Sequence, residues 1–305
     1  MTRPAPRIAL VTGASAGIGL ATAVALARRG LALRLVGRDA AKLEAARAAV
    51  AAEGADVATF RADLSSLADV RALAAAVLAR DEPLHVLVNN AGVWHPTFRR
   101  SKDGFEDTFA VNHLAHFLLT HLLLPRMRQS PGDRRIVHVS SRLHVQAGAT
   151  GSIRGRIVHA ANVLGLRVVT SGARFDFDAP DREEGYEGIE AYARSKLAQV
   201  IFSAELARRE REVTSNAVHP GSVATEVTRE NRLLFALQPL SKLVLKTPAQ
   251  GAETSVHVAT SPALQGVSGR YFARSREAPA APIADDPAIG ARLWALSAER
   301  VGLPV

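Results

Sequence analysis

Short apolar runs alternate with longer stretches of helical period along most of the chain. The runs are RIALVT (7–12), LALRLVG (31–37), DVATF (56–60), LHVLVNN (84–90), RRIVHVSS (134–141) and VTSNAVHP (213–220), with a short GRYFA (269–273) near the end. Helical patterns cover about 17–29, 40–53, 66–80 and 189–211, and a helical stretch runs over 226–260. Continuous apolar strands separated by helices predict an α/β fold, a doubly wound parallel sheet with helices on both faces. The segment SKDGFEDTFAVNHLAHFLLTHLLLP (101–125) reads mostly as one buried amphipathic helix. Asn112 sits inside it, although Asn is poor in helix interiors and costly to bury unpaired. Residues 145–181, rich in Gly, Arg and Asp, show no clean period.

Composition narrows the class. The chain has 305 residues, 48% of them hydrophobic, which suits one large folded domain over 1–305. No apolar run reaches 18 residues, so no integral membrane helix is expected. MTRPAPRIALVTG passes straight into a strand-like run and lacks a signal-peptide pattern. With no cysteine, disulfides and thiolate metal sites are excluded. A soluble cytoplasmic protein is the expectation. The net charge of +9 invites a nucleic-acid reading, but the basic residues are scattered and aromatics are only 5%. There is no stacking platform, so no nucleic-acid partner is expected.

LVTGASAGIGLATA places Gly13, Gly17 and Gly19 between the first strand and the first helix, with Ser15 and Ile18 in the same loop. Glycine permits a tight turn and close approach to a phosphate, and the helix N-terminus offers N–H groups and a positive dipole end. After a strand and before a helix, this pattern predicts a dinucleotide-binding turn. The second strand ends in Gly37-Arg38-Asp39. An acid there would hold ribose hydroxyls, whereas an Arg pairs with a 2′-phosphate. Asp39 also suits a helix N-cap. Arg38 therefore favours NADP(H) over NAD(H), against the plainer reading of a solvated Arg. Asp63, followed by Leu64, either binds the adenine or caps the next helix.

YARSK places Tyr192 and Lys196 at i, i+4 on one helix face. A phenol near pKa ~10 exchanges protons poorly at neutral pH, and a fixed ammonium one turn away would favour the phenolate. Ser141, ending RRIVHVSS, lies where ligands bind in open α/β sheets and could hold a carbonyl oxygen; Ser140 competes for that role.

TGxxxGxG at 12–19, NNAG at 89–92, Asn112, Ser141 and Tyr192-xxx-Lys196, in that order, resemble the short-chain dehydrogenase/reductase family. VNHLAHFLLTHLLLP, AYARSKLAQVIFSAEL and TPAQGAETSVHVATSPALQGVSGRYF are similar to its retinol-dehydrogenase-like and protochlorophyllide-reductase-like branch. The resemblance implies a Rossmann-type sheet of seven parallel strands and leaves a homo-oligomer open. It implies that the helix is distorted at Asn112, whose backbone carbonyl holds a water linking Lys196 to solvent. Asn90, Ala91 and Gly92 would form part of the cofactor wall. Pro220, Gly221, Val223 and Thr225 would line the nicotinamide. The implied reaction is hydride transfer between NADP(H) and an apolar small molecule, interconverting carbonyl and alcohol.

His113, His116 and His121 share the buried helix, but no acidic partner is in register, and no metal is expected. Residues 226–247, apolar with basic ends, suit a substrate lid, plain packing or membrane contact. Trp94, Phe98 and Phe105 suit either pocket or core. From Ser141 to Tyr192 is 51 positions, longer than the family pattern, with the extra residues at about 147–174. Such an insertion could cap the pocket, form an interface or displace Ser141. It lends some weight to a rival reading, a non-catalytic dinucleotide-binding sensor, against which stands the complete proton-transfer set. A light-driven ring reductase is disfavoured by the lack of cysteine.

Overall fold

The computed structural model describes residues 6–147, 175, 177, 181–221 and 246–304. The strands are β1 (Ile8–Thr12), β2 (Ala32–Gly37), β3 (Val57–Arg61), β4 (Val86–Asn89), β5 (Arg135–Val139), β6 (Thr214–His219), β7 (Tyr271–Ala273) and β8 (Arg276–Glu277). They form a sheet in the order β3-β2-β1-β4-β5-β6-β7-β8. All pairs are parallel except the last, a two-residue hairpin that adds an eighth strand to the seven expected. Strand order reverses between β1 and β4, the switch point at which such sheets open a crevice beyond their C-terminal ends.

The helices are α1 (Gly17–Ala27), α2 (Ala40–Ala51), α3 (Leu67–Leu78), α4 (Asp107–Phe109), α5 (Ala115–Gln129), α6 (Gly188–Arg209), α7 (Pro248–Thr260) and α8 (Pro287–Val301). Alternation along the strands separates two cores. Leu10, Leu87 and Ile136 face one layer with residues of α3, α5, α6 and α8. Ala9, Val11, Val88 and Val137 face the other, with residues of α1, α2 and α7. Strands apolar on both sides are what two helical layers require.

Two parts differ from the sequence reading. The buried helix does not begin at Ser101. Asp107 opens it, capped by Glu106, whose carboxylate accepts from the N–H groups of Thr108 and Phe109. A π turn over Ala110–Leu114 then separates α4 from α5. The second is α8, which the periodicity reading missed. Its ends are nonetheless marked, by Asp286 at the N-cap, Pro287 in the first turn and Gly302 in the left-handed C-cap. The insertion at about 147–174 and the candidate lid lie outside the described residues, apart from Ala147, Lys246 and Thr247. No helix among the described residues is long and apolar enough to cross a membrane.

Phe117 of α5 is fully buried, with Phe202 of α6 at 5.0 Å and Trp294 of α8 at 5.3 Å between ring centroids. It joins the three helices of one layer. Phe117→Ala should cost about 3–5 kcal/mol of unfolding free energy, read by urea denaturation; a loss below about 1 kcal/mol would mean that this aromatic junction does not hold the layer together.

Candidate active site

The loop after β1 has the shape a bound phosphate requires. Gly13 and Gly17 take positive φ, 64° and 56°. A side chain on Gly19 would meet the Gly13 carbonyl oxygen at 2.2 Å. A side chain on Gly13 would meet Ala91 at 2.9 Å, which is how close the loop lies to the end of β4. Ser15 packs beside Gly37 at the end of β2. Helices α2 and α3 are capped by Asp39 and Ser66, but α1 starts with no side-chain cap. Its first-turn N–H groups thus have no competing side-chain acceptor, and the loop fits a dinucleotide pyrophosphate. Ile18, in the first turn, is partly buried.

At the next strand ends, Asp39 is occupied as an N-cap, accepting from Lys42 N at 3.0 Å. Arg38 is exposed and its guanidinium makes no hydrogen bond or ion pair among the described residues. Sequence reasoning missed Arg61. It pairs in register with Gly37, and its Nε donates to the Arg38 carbonyl at 3.2 Å, so two cations stand at one edge. The signal was a basic residue closing the neighbouring parallel strand. Asp63 does not cap α3. Its Oδ1 accepts from the N–H and hydroxyl of Ser65, and its Oδ2 pairs with Lys102 at 3.1 Å. Burial pushes its carboxyl up, but these bonds hold it below the usual range. The Leu64 side chain is buried in the core.

Beyond β4, Asn90 is structural as well as adjacent to the loop. Its Nδ2 donates to Thr12 O at 2.8 Å. The Thr12 hydroxyl, unmarked by sequence reasoning, accepts from the N–H groups of Asn90 and Ala91 at 2.9 and 3.0 Å. Gly92 is needed for close approach: a Cβ there would lie 3.2 Å from Lys196 Nζ and 3.3 Å from Asn112 Oδ1.

The Asn112 side chain is satisfied at every position it uses. Oδ1 accepts from Val93 N at 2.8 Å, while Nδ2 donates to Val93 O at 3.0 Å and Ser195 Oγ at 2.9 Å. It therefore staples the segment after β4 to the helix carrying Tyr192. The local distortion is present: in the π turn, Ala115 N–H reaches the Ala110 carbonyl, five residues back. The Asn112 carbonyl accepts from His116 Nδ1 at 3.1 Å.

The two serines at the end of β5 separate cleanly. Ser140 Oγ donates to the Lys196 carbonyl at 2.8 Å and so anchors α6. Ser141 faces Tyr192, and its hydroxyl pulls the phenol's pKa down. Behind Ser141, His144 Nε2 accepts from Ala281 N at 3.1 Å, which leaves Nδ1–H to donate to the Ser141 carbonyl at 2.7 Å. Lys196 is 3% exposed; its Nζ donates to Val139 O at 2.9 Å and Gln199 Oε1 at 3.0 Å, and lies 5.6 Å from the centre of the Tyr192 ring.

The electrostatics run against the expected phenolate. Burial pushes the Tyr192 phenol up to about 12, with the Ser141 hydrogen bond pulling the other way. The lysine does not lower it, because Nζ is directed at two neutral acceptors rather than at the phenol oxygen. Burial in turn pulls Lys196 down to about 7.

Pro220 is buried and Gly221 has φ 93°, with Lys246 folded over it. Val223 and Thr225 lie outside the described residues. His113, His116 and His121 bond to Ser297, to Thr12 with the Asn112 carbonyl, and to the Phe117 carbonyl. No group of three or more potential metal ligands gathers among the described residues. Phe98 packs edge-on to Tyr186 and Phe105 lies under Arg300.

Comparison with known proteins agrees with this geometry. The family model for short chain dehydrogenases matches residues 7–155. Mouse retinol dehydrogenase 14 is 37% identical over 96% of this chain and 85% of its own. Human retinol dehydrogenase 11 is 38% identical over 98% and 87%. Among solved structures, an uncharacterized protein from Mycobacterium paratuberculosis superposes with a TM-score of 0.74 at 28% identity, covering 99% of this chain and 96% of that one. The Pseudomonas aeruginosa RhlG/NADP complex superposes at 0.66 with 25% identity, over 88% and 95%. The chain belongs to the short-chain dehydrogenase family, in its retinol-dehydrogenase-like branch. As such it is an NAD(P)-dependent oxidoreductase of alcohol and carbonyl groups.

The depressed Lys196 has a consequence for stability. Between about pH 7 and its unfolded value near ~10.4, the unfolded chain holds a proton that the folded chain has released, so stability rises with pH across that window. Lys196→Met lacks this dependence. The native protein should be the less stable of the two at pH 7 and should close the gap by pH 10, measured by urea unfolding at each pH. A constant gap would mean that Lys196 keeps its ordinary affinity for the proton.

Proposed function

We propose that this chain is an NADP(H)-dependent oxidoreductase that interconverts a carbonyl and an alcohol on an apolar small molecule. The observation carrying this reading is that Ser141, at the C-terminal edge of β5, and Tyr192 are close enough for the serine to lower the phenol's pKa, with buried Lys196 beside them. When bound, the nicotinamide would supply or accept the hydride. The Gly13–Gly19 loop and the uncapped start of α1 would hold its pyrophosphate, and Gly92 would leave room beside Lys196. Arg38, with Arg61 beside it, supports a preference for the 2′-phosphate.

Ser141 would donate to the substrate oxygen and fix its position. Tyr192 would pass its proton to that oxygen as negative charge develops on it. A phenol raised to about 12 stays protonated at neutral pH and remains much more acidic than an alcohol, which supports reduction as the easier direction. Asn112 would act by holding Val93 and Ser195, keeping the cofactor wall and α6 in register. An apolar substrate is supported by the names of the relatives, retinol dehydrogenases, and by the apolar sequence of 226–247.

The test is NADPH and NADH oxidation by the purified protein with all-trans-retinal and a series of long-chain aldehydes and ketones. Tyr192→Phe should lose at least ~10²-fold in turnover while binding NADPH as before. A mutant that turns over normally would overturn the assignment, and tight NADPH binding without turnover by the native chain would favour a sensor. Arg38→Ala should weaken NADPH by about tenfold or more, the worth of a charge-assisted hydrogen bond, and leave NADH unchanged. Equal loss for both cofactors would remove the basis for the NADP(H) preference.

A further inference from the structure

A chain of buried polar groups leads away from Lys196, and nothing in the proton transfer described above uses it. Lys196 Nζ donates to Gln199 Oε1 at 3.0 Å. Gln199 Nε2 lies 3.2 Å from His116 Nδ1. His116 Nε2 lies 3.0 Å from Thr12 Oγ1, and His116 Nδ1 lies 3.1 Å from the Asn112 carbonyl. Gln199 and His116 are both fully buried.

Counting donors and acceptors fixes the histidine tautomer. A hydroxyl accepts two hydrogen bonds and donates one. Thr12 Oγ1 already accepts from the N–H groups of Asn90 and Ala91. It has no lone pair left for an Nε2–H, so Nε2 is bare, and the single Thr12 proton is shared between it at 3.0 Å and the Val88 carbonyl at 3.3 Å. The proton is then on Nδ1, where the Asn112 carbonyl accepts it. Burial keeps the ring neutral, at about 3.

This tautomer creates a conflict at Gln199. With Oε1 turned to the ammonium, Nε2–H points at Nδ1–H, donor against donor. A half-turn of the amide keeps its shape and exchanges the two ends. Oε1 then accepts from His116 Nδ1–H, and Nε2–H faces Lys196. That orientation suits only an uncharged lysine, whose Nζ has a lone pair to accept. The turned amide therefore matches only the free amine; the other orientation accepts from ammonium or amine and, with donor set against donor at His116, is held in place by the ammonium.

We infer that Gln199 and His116 are positioning residues that couple the Lys196 proton to the turning of the Gln199 amide. Gln199 favours the ammonium in one orientation, and His116 favours the other orientation and so the free amine. The inference rests on the reading of Lys196 as the lysine of the active site. The other groups around Lys196 offer no competing charge. Tyr192 on its own helix, His138 on β5, and His113 in the π turn are held neutral at neutral pH by burial. No carboxylate pairs with Lys196 among the described residues.

The experiment is NMR on the intact protein, with and without NADP+, in which five lysines make the Lys196 side chain resolvable. Lysine side-chain carbon, Gln199 side-chain amide and histidine ring nitrogen signals are followed from pH 5 to 10. The expected result is an Nδ1-protonated His116, with the Gln199 amide shifting at the same midpoint as Lys196. Gln199→Leu should move that midpoint down by about one pH unit, through loss of the oxygen that favours the ammonium. In a family member that turns over, the pH profile of kcat/KM should move with it while NADPH affinity stays. An Nε2-protonated ring, a Gln199 amide that ignores the lysine titration, or an unmoved Lys196 midpoint in Gln199→Leu would each overturn the inference. The native-protein titrations need neither a substrate nor a variant. A chain without turnover that shows them would refute the proposed reaction and leave the coupling standing.

Discussion

The site depends on burying the Lys196 ammonium beneath the C-terminal edge of the sheet. An ammonium there must find oxygen acceptors, and the nearest are the Val139 carbonyl and Gln199 Oε1. The first demands that α6 lie directly across the end of β5, and the Ser140 hydroxyl holds it there through the Lys196 carbonyl. The second demands Gln199 one turn along the same helix. Gly92 follows from the same constraint, since any side chain would press on Nζ. Tyr192 and Ser141 meet because these contacts leave α6 and β5 a single register.

Asn112 is the counterpart on the opposite wall. Its amide spans Val93 and Ser195, so it ties the segment after β4 to the helix bearing Tyr192. The π turn brings it into reach, and the widened helix leaves the Asn112 carbonyl for His116 rather than for the backbone alone. His144 does comparable work for Ser141 by tying its carbonyl to Ala281. His116 and His144 thus act as neutral, two-ended connectors, each with Nδ1–H given to a backbone carbonyl.

Much of this was legible in the sequence. Two helical layers require strands apolar on both faces, so β1, β2, β4 and β5 announced themselves by continuous apolar runs. Asn112 stood out as a misfit, and its surroundings explain why. Periodicity did not show the π turn, because one extra residue in a turn does not disturb an apolar stretch in which nearly every position is buried; only the family resemblance implied a distortion at Asn112. Helix α8 was overlooked for the opposite reason: its period is weak, and only Asp286, Pro287 and Gly302 mark it. Ser141 was favoured with Ser140 as its rival, and spacing alone left the rival standing, since adjacent residues leaving a strand differ only in which side they face. Burial alone moves the Tyr192 phenol up, and spacing shows that a lysine is near but not where its ammonium points.

The chain shows how differently it treats its other buried cations. Arg34 and Arg135 are each 2% exposed, and both are matched by carboxylates: Arg34 by Asp56 and Glu82 at 2.9 Å, Arg135 by Asp133 at 2.6 Å. Breaking either pair would strand an ion in the interior. Lys196 is as deeply buried, yet it is given neutral acceptors only. A carboxylate there would secure the ammonium and fix its proton. Withholding one brings the lysine close to neutrality, where a proton can leave and return at little cost. The same omission weakens the fold at neutral pH, which makes the unpaired lysine a feature that packing alone does not account for.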